Sequence, residues 1–242
     1  MDEKIEQFKK QLENSQKIVF FGGAGVSTDS GIPDFRSADG LFMQETGGVV
    51  SPEQMISHTF YKRYPKAFFN YYFENLVFDD AEPNFAHTFL KDLEDSGKDV
   101  SIVTQNIDGL HQKAHSSVVY ELHGTTIRNY CTSCYTYYEN NELNLDEDGI
   151  PRCDKDGGIV RPDIVLYEEG LNQEVVQNAV QAIEEADMLI IAGTSLVVYP
   201  AAGLINYFNG NHLVVVNKTP IQVPAGALVF EDSISNVFEK LN

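Results

Sequence analysis

Apolar residues along the chain follow two spacings that predict a parallel sheet covered by helices. Short, almost wholly apolar runs are typical of buried parallel strands, and they occur at 17–21, 99–104, 118–122, 187–193, 212–217 and 227–230. Apolar residues three or four positions apart predict helices at about 2–14, 84–96, 173–186, 200–209 and 232–241. Because strands and helices alternate, we expect an α/β fold, a Rossmann-like parallel sheet with helices on both faces.

Two segments interrupt this alternation and predict a small inserted domain. Residues 37–83 are rich in aromatic side chains and are predicted to be helical, whereas residues 127–163 contain all three cysteines and a polar run. We therefore expect a helical module and a zinc-ribbon-like, cysteine-bearing module that meet in space. The main domain is then formed by three stretches of chain, 1–36, 84–126 and 164–242.

The charge of the chain limits its partners. Lys and Arg total 17 against 36 Asp and Glu, which gives a net charge of −19. Such a field repels phosphate backbones, so we expect no nucleic-acid binding. It suits a cationic partner such as a lysine-rich peptide, although solubility alone also explains it. The charged start of the chain lacks a signal-peptide core, and no apolar run is long enough to span a membrane. We expect a cytoplasmic monomer.

A glycine-rich turn at 22–27 follows the first predicted strand. Free backbone N–H groups and the positive end of a helix dipole favour phosphate there, and glycine lets the backbone approach closely. The turn is an incomplete dinucleotide fingerprint, because Thr28 replaces the third glycine and no acidic residue ends the next strand. Taken alone, it is equally consistent with nucleotide binding and with a tight strand-to-helix turn.

Six motifs, spread over nearly the whole chain, resemble the signatures of the sirtuin family in its bacterial-type form. They are GAGVSTDSGIPDFRS at 23–37, TQNIDGLH at 104–111, ELHG at 121–124, RPDIV at 161–165, GTSL at 193–196, and Asn217 after a strand. Single residues have plain structural explanations. Asn106 and Asp108 would cap a helix, and Pro33 with Asp34 would form a turn. The coincidence of all six motifs favours the family.

The resemblance implies an NAD-dependent protein-lysine deacetylase, a sirtuin-type acyltransferase. It would act on acetylated lysines of proteins or peptides and produce nicotinamide, deacetylated lysine and O-acetyl-ADP-ribose. His123 and Asn106 are the implied catalytic residues. His123 would remove a proton from a ribose hydroxyl, which suits a side chain whose ordinary pKa lies near cellular pH.

The resemblance also implies an NAD site. The turn at 23–25 would hold the pyrophosphate, Asn217 the adenosine ribose, Gln105 the nicotinamide ribose and Asp108 the nicotinamide carboxamide. Most of these positions follow predicted strands, and ligands bind at the carboxyl ends of parallel strands. The full predicted set is Gly23, Ala24, Gly25, Thr28, Asp34, Phe35, Arg36, Gln105, Asn106, Ile107, Asp108, His123, Gly193, Thr194, Ser195, Asn217 and Asp232.

The implied substrate is a peptide that adds as a strand between two edges of the cleft, because backbone pairing accepts varied sequences. The predicted edges are 165–168 and 197–199, with Val165, Leu166, Tyr167 and Val197 as the predicted substrate residues. The stretch 40–45 has no arginine and contains Glu45, which disfavours anionic acyl groups. Acetyl or a longer apolar acyl chain is therefore expected.

The implied structural zinc site departs from the four cysteines usual in the family. Cys131 and Cys134 form the first pair, but the second is Cys153 with Asp156. A carboxylate oxygen can bind zinc, so a site of three cysteines and one aspartate is chemically possible. A decayed site held by aromatic packing, and a redox role for the cysteine pair, are the alternatives.

Other functions remain open from the sequence. NAD-dependent mono-ADP-ribosyl transfer or long-chain deacylation would use the same cofactor cavity. A non-catalytic NAD-sensing or interaction protein is the alternative of another class, although His123, Asn106 and Asp108 are all present.

Overall fold

The computed structural model describes residues 2–34 and 50–241. The strands are β1 (Lys17–Gly22), β2 (Asp99–Thr104), β3 (Val119–Glu121), β4 (Gly124–Cys131), β5 (Tyr137–Glu139), β6 (Asn144–Leu145), β7 (Pro151–Arg152), β8 (Val160–Ile164), β9 (Met188–Ala192), β10 (His212–Val216) and β11 (Leu228–Phe230). The α-helices are α1 (Asp2–Asn14), α2 (Pro52–Met55), α3 (His58–Arg63), α4 (Pro65–Asn75), α5 (Phe85–Asp95), α6 (Leu110–Lys113), α7 (Gln173–Glu185) and α8 (Ile234–Glu239). None of the helices in the described ranges is long and apolar enough to cross a membrane.

The main sheet has six parallel strands in the order β11-β10-β9-β1-β2-β3. After β1 the chain adds β2 and then β3 on one side of it. It later returns to add β9, β10 and β11 on the other side of β1. Neighbouring loops therefore diverge above β1 and β9, and this opens the crevice in which doubly wound sheets bind ligands. The Rossmann-like sheet predicted from the apolar runs is confirmed.

Helices cover both faces of this sheet. Because successive side chains of a strand point to opposite sides, each face has a core of its own. On one face Phe20 packs in a buried core with Phe8 of α1, Leu90 of α5 and Phe238 of α8. On the other face Phe21 belongs to a separate core formed with α7 and the helix that follows β9. Every residue of β9 is buried, which explains its wholly apolar sequence.

The predicted helix at 200–209 is confirmed as a 3-10 helix at Ala201–Tyr207. Gly203 and Asn206 have low α-helical propensity, whereas the apolar positions pack against the sheet. The spacing of apolar residues therefore predicted the helix and its buried face.

A second group of elements packs around its own core. The strands β5, β4 and β8 form an antiparallel sheet in that order, and β6 pairs with β7. Helices α3 and α4 contribute four buried aromatic residues, Tyr61, Phe68, Phe69 and Tyr72, which pack in one cluster with Ile150, Ile164 and Leu166. This cluster joins the aromatic-rich helices to the segment that follows β8.

A buried ion pair fixes that segment. The two terminal guanidinium nitrogens of Arg161, Nη1 and Nη2, donate to the carboxylate of Glu169 at 2.7 and 3.1 Å, and Arg161 is only 8% exposed. Glu169 also accepts from the Leu166 N–H and lies 2.8 Å from Nδ1 of His58. Burial alone would raise the pKa of Glu169, but the hydrogen bonds from Arg161 and His58 outweigh it and lower that pKa to about 2.

Replacing Arg161→Met is expected to lower the free energy of unfolding by about 2–3 kcal/mol, because it leaves the partly buried Glu169 carboxylate without its guanidinium partner. Urea unfolding measures the change. Lys66→Met is the matched control, since it breaks an ion pair with Asp148 whose side chains are both 61% exposed, and it should change stability little. Equal small losses in both variants would contradict the assignment of Arg161 as a buried anchor.

Candidate active site

A cavity of about 480 Å³ lies at the carboxyl ends of the main-sheet strands. Loops that follow β1, β2, β3, β9, β10 and β11 all contribute to its wall. The predicted cofactor residues that line it are Gly23, Ala24, Gly25, Thr28, Asp34, Gln105, Asn106, Ile107, His123, Gly193, Thr194, Ser195, Asn217 and Asp232. Asp108 is not among the described lining residues, and the predicted Phe35 and Arg36 lie outside the described residues.

Two glycine-containing loops meet backbone to backbone in this cavity. The Gly25 N–H donates to the Gly193 carbonyl at 2.8 Å. A Cβ on Gly25 would lie 2.8 Å from the Cα of Gly193, and one on Gly193, whose φ is +59°, would lie 2.5 Å from the Val26 nitrogen. The hydrogen bonds among the described residues leave the N–H groups of Ala24 and Ser195 available. Unpaired amides of this kind bind anionic phosphate.

A buried hydrogen-bonded trio links the turn after β1 to the loop after β2. Ser27 donates to Asp108 at 2.6 Å and accepts from Nδ2 of Asn106 at 3.1 Å. The other Asp108 oxygen accepts from the Leu110 N–H and so stabilises the start of α6. Burial raises the pKa of Asp108, and these hydrogen bonds only partly offset it. Sequence reasoning missed Ser27, whose only signal was its place in the first motif.

His123 follows β3 and is held in one tautomer. Its Nδ1 lies 2.9 Å from the carbonyl oxygen of Gln105. A carbonyl oxygen only accepts, so Nδ1 carries the proton and Nε2 is the basic nitrogen of the neutral ring. Burial lowers the pKa of His123, partly offset by the bond to Gln105. The next residue, Gly124, has a φ of +72°, and its Cβ would lie 1.9 Å from the Asp163 carbonyl of β8.

The remaining predicted cofactor side chains are held by local hydrogen bonds. Gln105 donates from Nε2 to the Thr194 hydroxyl at 3.0 Å, which connects the loops after β2 and β9. Asn217 donates from Nδ2 to the Thr219 carbonyl at 2.8 Å. Asp232 accepts from Asn236 at 2.9 Å, and this bond lowers the pKa of its carboxyl. The wall is therefore preorganised before any ligand binds.

The predicted substrate edge at 165–167 lines the same cavity. The Val165 N–H donates to the His123 carbonyl at 2.9 Å, so this edge is joined directly to the histidine. Tyr167 is paired on its other side, donating to Ile56 and accepting from the His58 N–H. Val197 is 57% exposed and does not line the cavity, whereas its neighbours Val198 and Tyr199 do.

Several lining residues were not assigned to the site from the sequence. These are Ile56, Leu76, Ile164, Glu169, Leu171, Pro200, Lys218, Thr219, Ser233 and Ile234. Ile56 and Leu76 come from the helical segment, and only the folded arrangement brings them to the sheet. Lys218 and Ser233 directly follow predicted residues, and Thr219 lies two positions after Asn217, so adjacency was the available signal.

The four residues of the predicted zinc motif converge. One ligand atom from each of Cys131, Cys134, Cys153 and Asp156 lies within 4.8 Å of the others. Sγ of Cys134 is 3.6 Å from Sγ of Cys153, and Sγ of Cys131 is 3.3 Å from the Asp156 carboxylate. Tetrahedral zinc with ~2.3 Å bonds to sulfur and ~2.0 Å bonds to oxygen needs ligand atoms ~3.5–3.8 Å apart. The donor set and its spacing therefore fit zinc.

Comparison with known proteins agrees with this geometry. The model of the Sir2 family matches residues 23–200. A protein of Clostridium perfringens, named NAD-dependent protein deacetylase, is 55% identical over 100% of this chain and 99% of its own length. One of Staphylococcus aureus with the same name is 43% identical, covering 96% of each chain.

Solved structures lead to the same family. A complex described as Sir2-p53 peptide-NAD+ has a TM-score of 0.84 and 33% identity, over 98% of this chain and 96% of that one. A structure of a Sir2 enzyme, 36% identical, has a TM-score of 0.84 over 100% and 97% of the two chains. The resemblance read from six motifs is confirmed: this chain belongs to the Sir2 family, the sirtuins.

Proposed function

We propose that the protein uses NAD to remove acetyl groups from lysine side chains of proteins or peptides. Relatives of nearly equal length carry the name NAD-dependent protein deacetylase. The observation that carries the proposal is a partly buried His123 that lines the same cavity as Asn106, with Nδ1 bonded to the Gln105 carbonyl and a pKa lowered by burial. The products are nicotinamide, deacetylated lysine and O-acetyl-ADP-ribose.

The residues present fit a dinucleotide. The amides of Ala24 and Ser195, which bond to no other described residue, suit the pyrophosphate, while Asn217 and Asp232 offer amide and carboxylate groups to the adenosine ribose. Gln105 serves the nicotinamide ribose, and Asp108, through its contacts with Ser27 and Asn106, shapes the carboxamide pocket. When bound, NAD supplies an anomeric carbon from which nicotinamide leaves and to which the acyl oxygen bonds.

His123 acts as the general base in this proposal. Nε2 accepts a proton from a ribose hydroxyl, and the Nδ1–H bond to the Gln105 carbonyl holds the ring and stabilises the resulting positive charge. Because the Val165 N–H is bonded to the His123 carbonyl, a peptide paired along 165–167 places its acyl-lysine close to this base. Apolar side chains around that edge exclude water from the reacting atoms.

The cysteine cluster is proposed to hold a structural zinc ion with Cys131, Cys134, Cys153 and Asp156 as ligands. Two sulfur atoms also accept backbone N–H groups, from Ser133 to Cys131 and from Lys155 to Cys153, which stabilises thiolates. The ion would hold β4 against the loop that precedes β8. It takes no part in the chemistry at His123.

The domain division, the partners and the location are also proposed. The separation of the main-sheet cores from the aromatic cluster supports a main domain of 1–36, 84–126 and 164–242, with 37–83 and 127–163 as the small domain. The charge of −19 supports the absence of nucleic-acid binding. A cytoplasmic location and a monomeric state are predictions from the sequence.

Replacing His123→Ala is expected to lower kcat for an acetyl-lysine peptide by at least about 100-fold, because the general base is lost. Peptide mass and nicotinamide release, with and without NAD, measure the reaction. His212→Ala is the control, since His212 begins β10 at the end of the sheet away from the cavity. Nicotinamide release without loss of the acetyl group would instead support ADP-ribosyl transfer.

The acid limb of the kcat/KM profile is expected to lie below pH ~6.5, the ordinary pKa of histidine. Burial lowers the pKa of His123, so the ring stays neutral and basic to lower pH, and activity falls only when Nε2 becomes protonated. A pH–rate profile with a peptide that does not titrate between pH 5 and 8 checks this. A midpoint above the ordinary histidine value would contradict a base buried in this way.

Metal analysis of the purified protein is expected to find one zinc ion per chain, and Asp156→Ala is expected to lose most of it. Asp154→Ala is the matched control, because Asp154 lies two residues away and bonds to Asn144 rather than to the cluster. Chelation should lower the Tm of the wild type but not that of Asp156→Ala. If the wild type contains no zinc and chelators do not change its Tm, the alternative of a site that has lost zinc and is held by aromatic packing is supported.

A further inference from the structure

Glu168 has a backbone conformation that favours glycine. Its φ is +75°, and in the described ranges only His115, Tyr135 and Leu196 are other non-glycine residues with positive φ. Glu168 ends the substrate edge, and Leu196 lies in the facing loop after β9, so two of these four residues flank the cleft. Such conformations persist where the surrounding structure maintains them, and they cluster at functional sites.

The carboxylate of Glu168 is ionised and held at the rim of the cavity. Its Oε2 accepts from the Thr59 N–H at 2.8 Å, in the first turn of α3. Hydrogen bonds from Thr59 lower the pKa of Glu168, so the group is negative at neutral pH. The side chain is exposed and also lines the cavity.

In the described part of the chain no lysine or arginine pairs with this negative charge. The adjacent Glu169 is paired with Arg161 and contacts His58, whereas no lysine or arginine among the described residues forms an ion pair with Glu168. Asp232, another acidic lining residue, lies after β11 at the adenosine end of the cavity. Glu168 is thus the uncompensated carboxylate next to the peptide edge.

We propose that Glu168 is a specificity-determining residue that selects peptides with a lysine or arginine near the acetyl-lysine. This rests on the proposed deacetylase function. Val165 is bonded to His123 and marks the edge where the acyl-lysine enters, and Glu168 lies in the turn that follows, closed by the Glu169 N–H bond to the Leu166 carbonyl at 3.0 Å. Because this turn keeps Glu168 at the wall of the same cavity, a long basic side chain one to three positions from the acetyl-lysine can reach its carboxylate and pair with it.

A purely structural role for Glu168 is also possible, because the same carboxylate satisfies the start of α3. Two substitutions separate the roles. Glu168→Gln keeps an oxygen that accepts from Thr59 and removes only the charge. Glu168→Gly removes the side chain and relieves the positive φ, so it should fold even if the hydrogen bond is lost.

The test compares kcat/KM for acetyl-lysine peptides that are identical except for flanking lysines or alanines, placed on either side. The wild type is expected to prefer the lysine-flanked peptide by about three- to fivefold at low salt, the size of an exposed ion pair. Added NaCl should reduce this ratio. In Glu168→Gln and Glu168→Gly the ratio should fall towards one.

Glu184→Gln is the control, because it removes one exposed charge from α7, away from the cleft, and should keep the wild-type ratio. A wild type without preference, or a preference that survives in both Glu168 variants, overturns the inference and leaves the deacetylase function standing. Absence of NAD-dependent turnover with every peptide overturns the proposed function, and this inference with it.

Discussion

The close backbone contact between Gly25 and Gly193 is the constraint on which the site depends. It exists because β1 and β9 are neighbours in the sheet although most of the chain separates them in sequence. A side chain at either glycine would push the two loops apart. The loops would then no longer present their free amides to one cavity, and Gln105 would lose its bond to Thr194. Two glycines, through the lack of a side chain at either position, thus set the shape of the cofactor site.

The sequence predicted the sheet well because buried parallel strands are apolar throughout, and few other structures produce such runs. It predicted the cavity wall from motifs that follow those strands. It did not predict the tautomer of His123, since the partner is a backbone carbonyl of Gln105 and no residue type signals it. It also did not predict that Ile56 and Leu76 line the cavity, because they lie at the ends of helices whose position is set by aromatic packing with Ile164 and Leu166.

The two halves of the cleft are held by different forces. On the sheet side, short backbone contacts and neutral hydrogen bonds such as Ser27 with Asp108 and Asn106 fix the loops. On the other side, the Arg161–Glu169 ion pair fixes the substrate edge, and the cysteine cluster organises the strands behind it. An ion pair thus stabilises the part that meets a peptide, whereas hydrogen bonds between neighbouring loops stabilise the part that meets the cofactor.

The central position of β1 also affects how the chain assembles during translation. β1 ends at residue 22, whereas its neighbours β2 and β9 end at residues 104 and 192 and are therefore synthesised later. Until β2 is made, both edges of β1 have unpaired N–H and C=O groups beside strongly apolar faces, which favour association with other chains. One edge stays unpaired until β9 follows, and early cover for one face comes from α1, whose Phe8 packs on the same core.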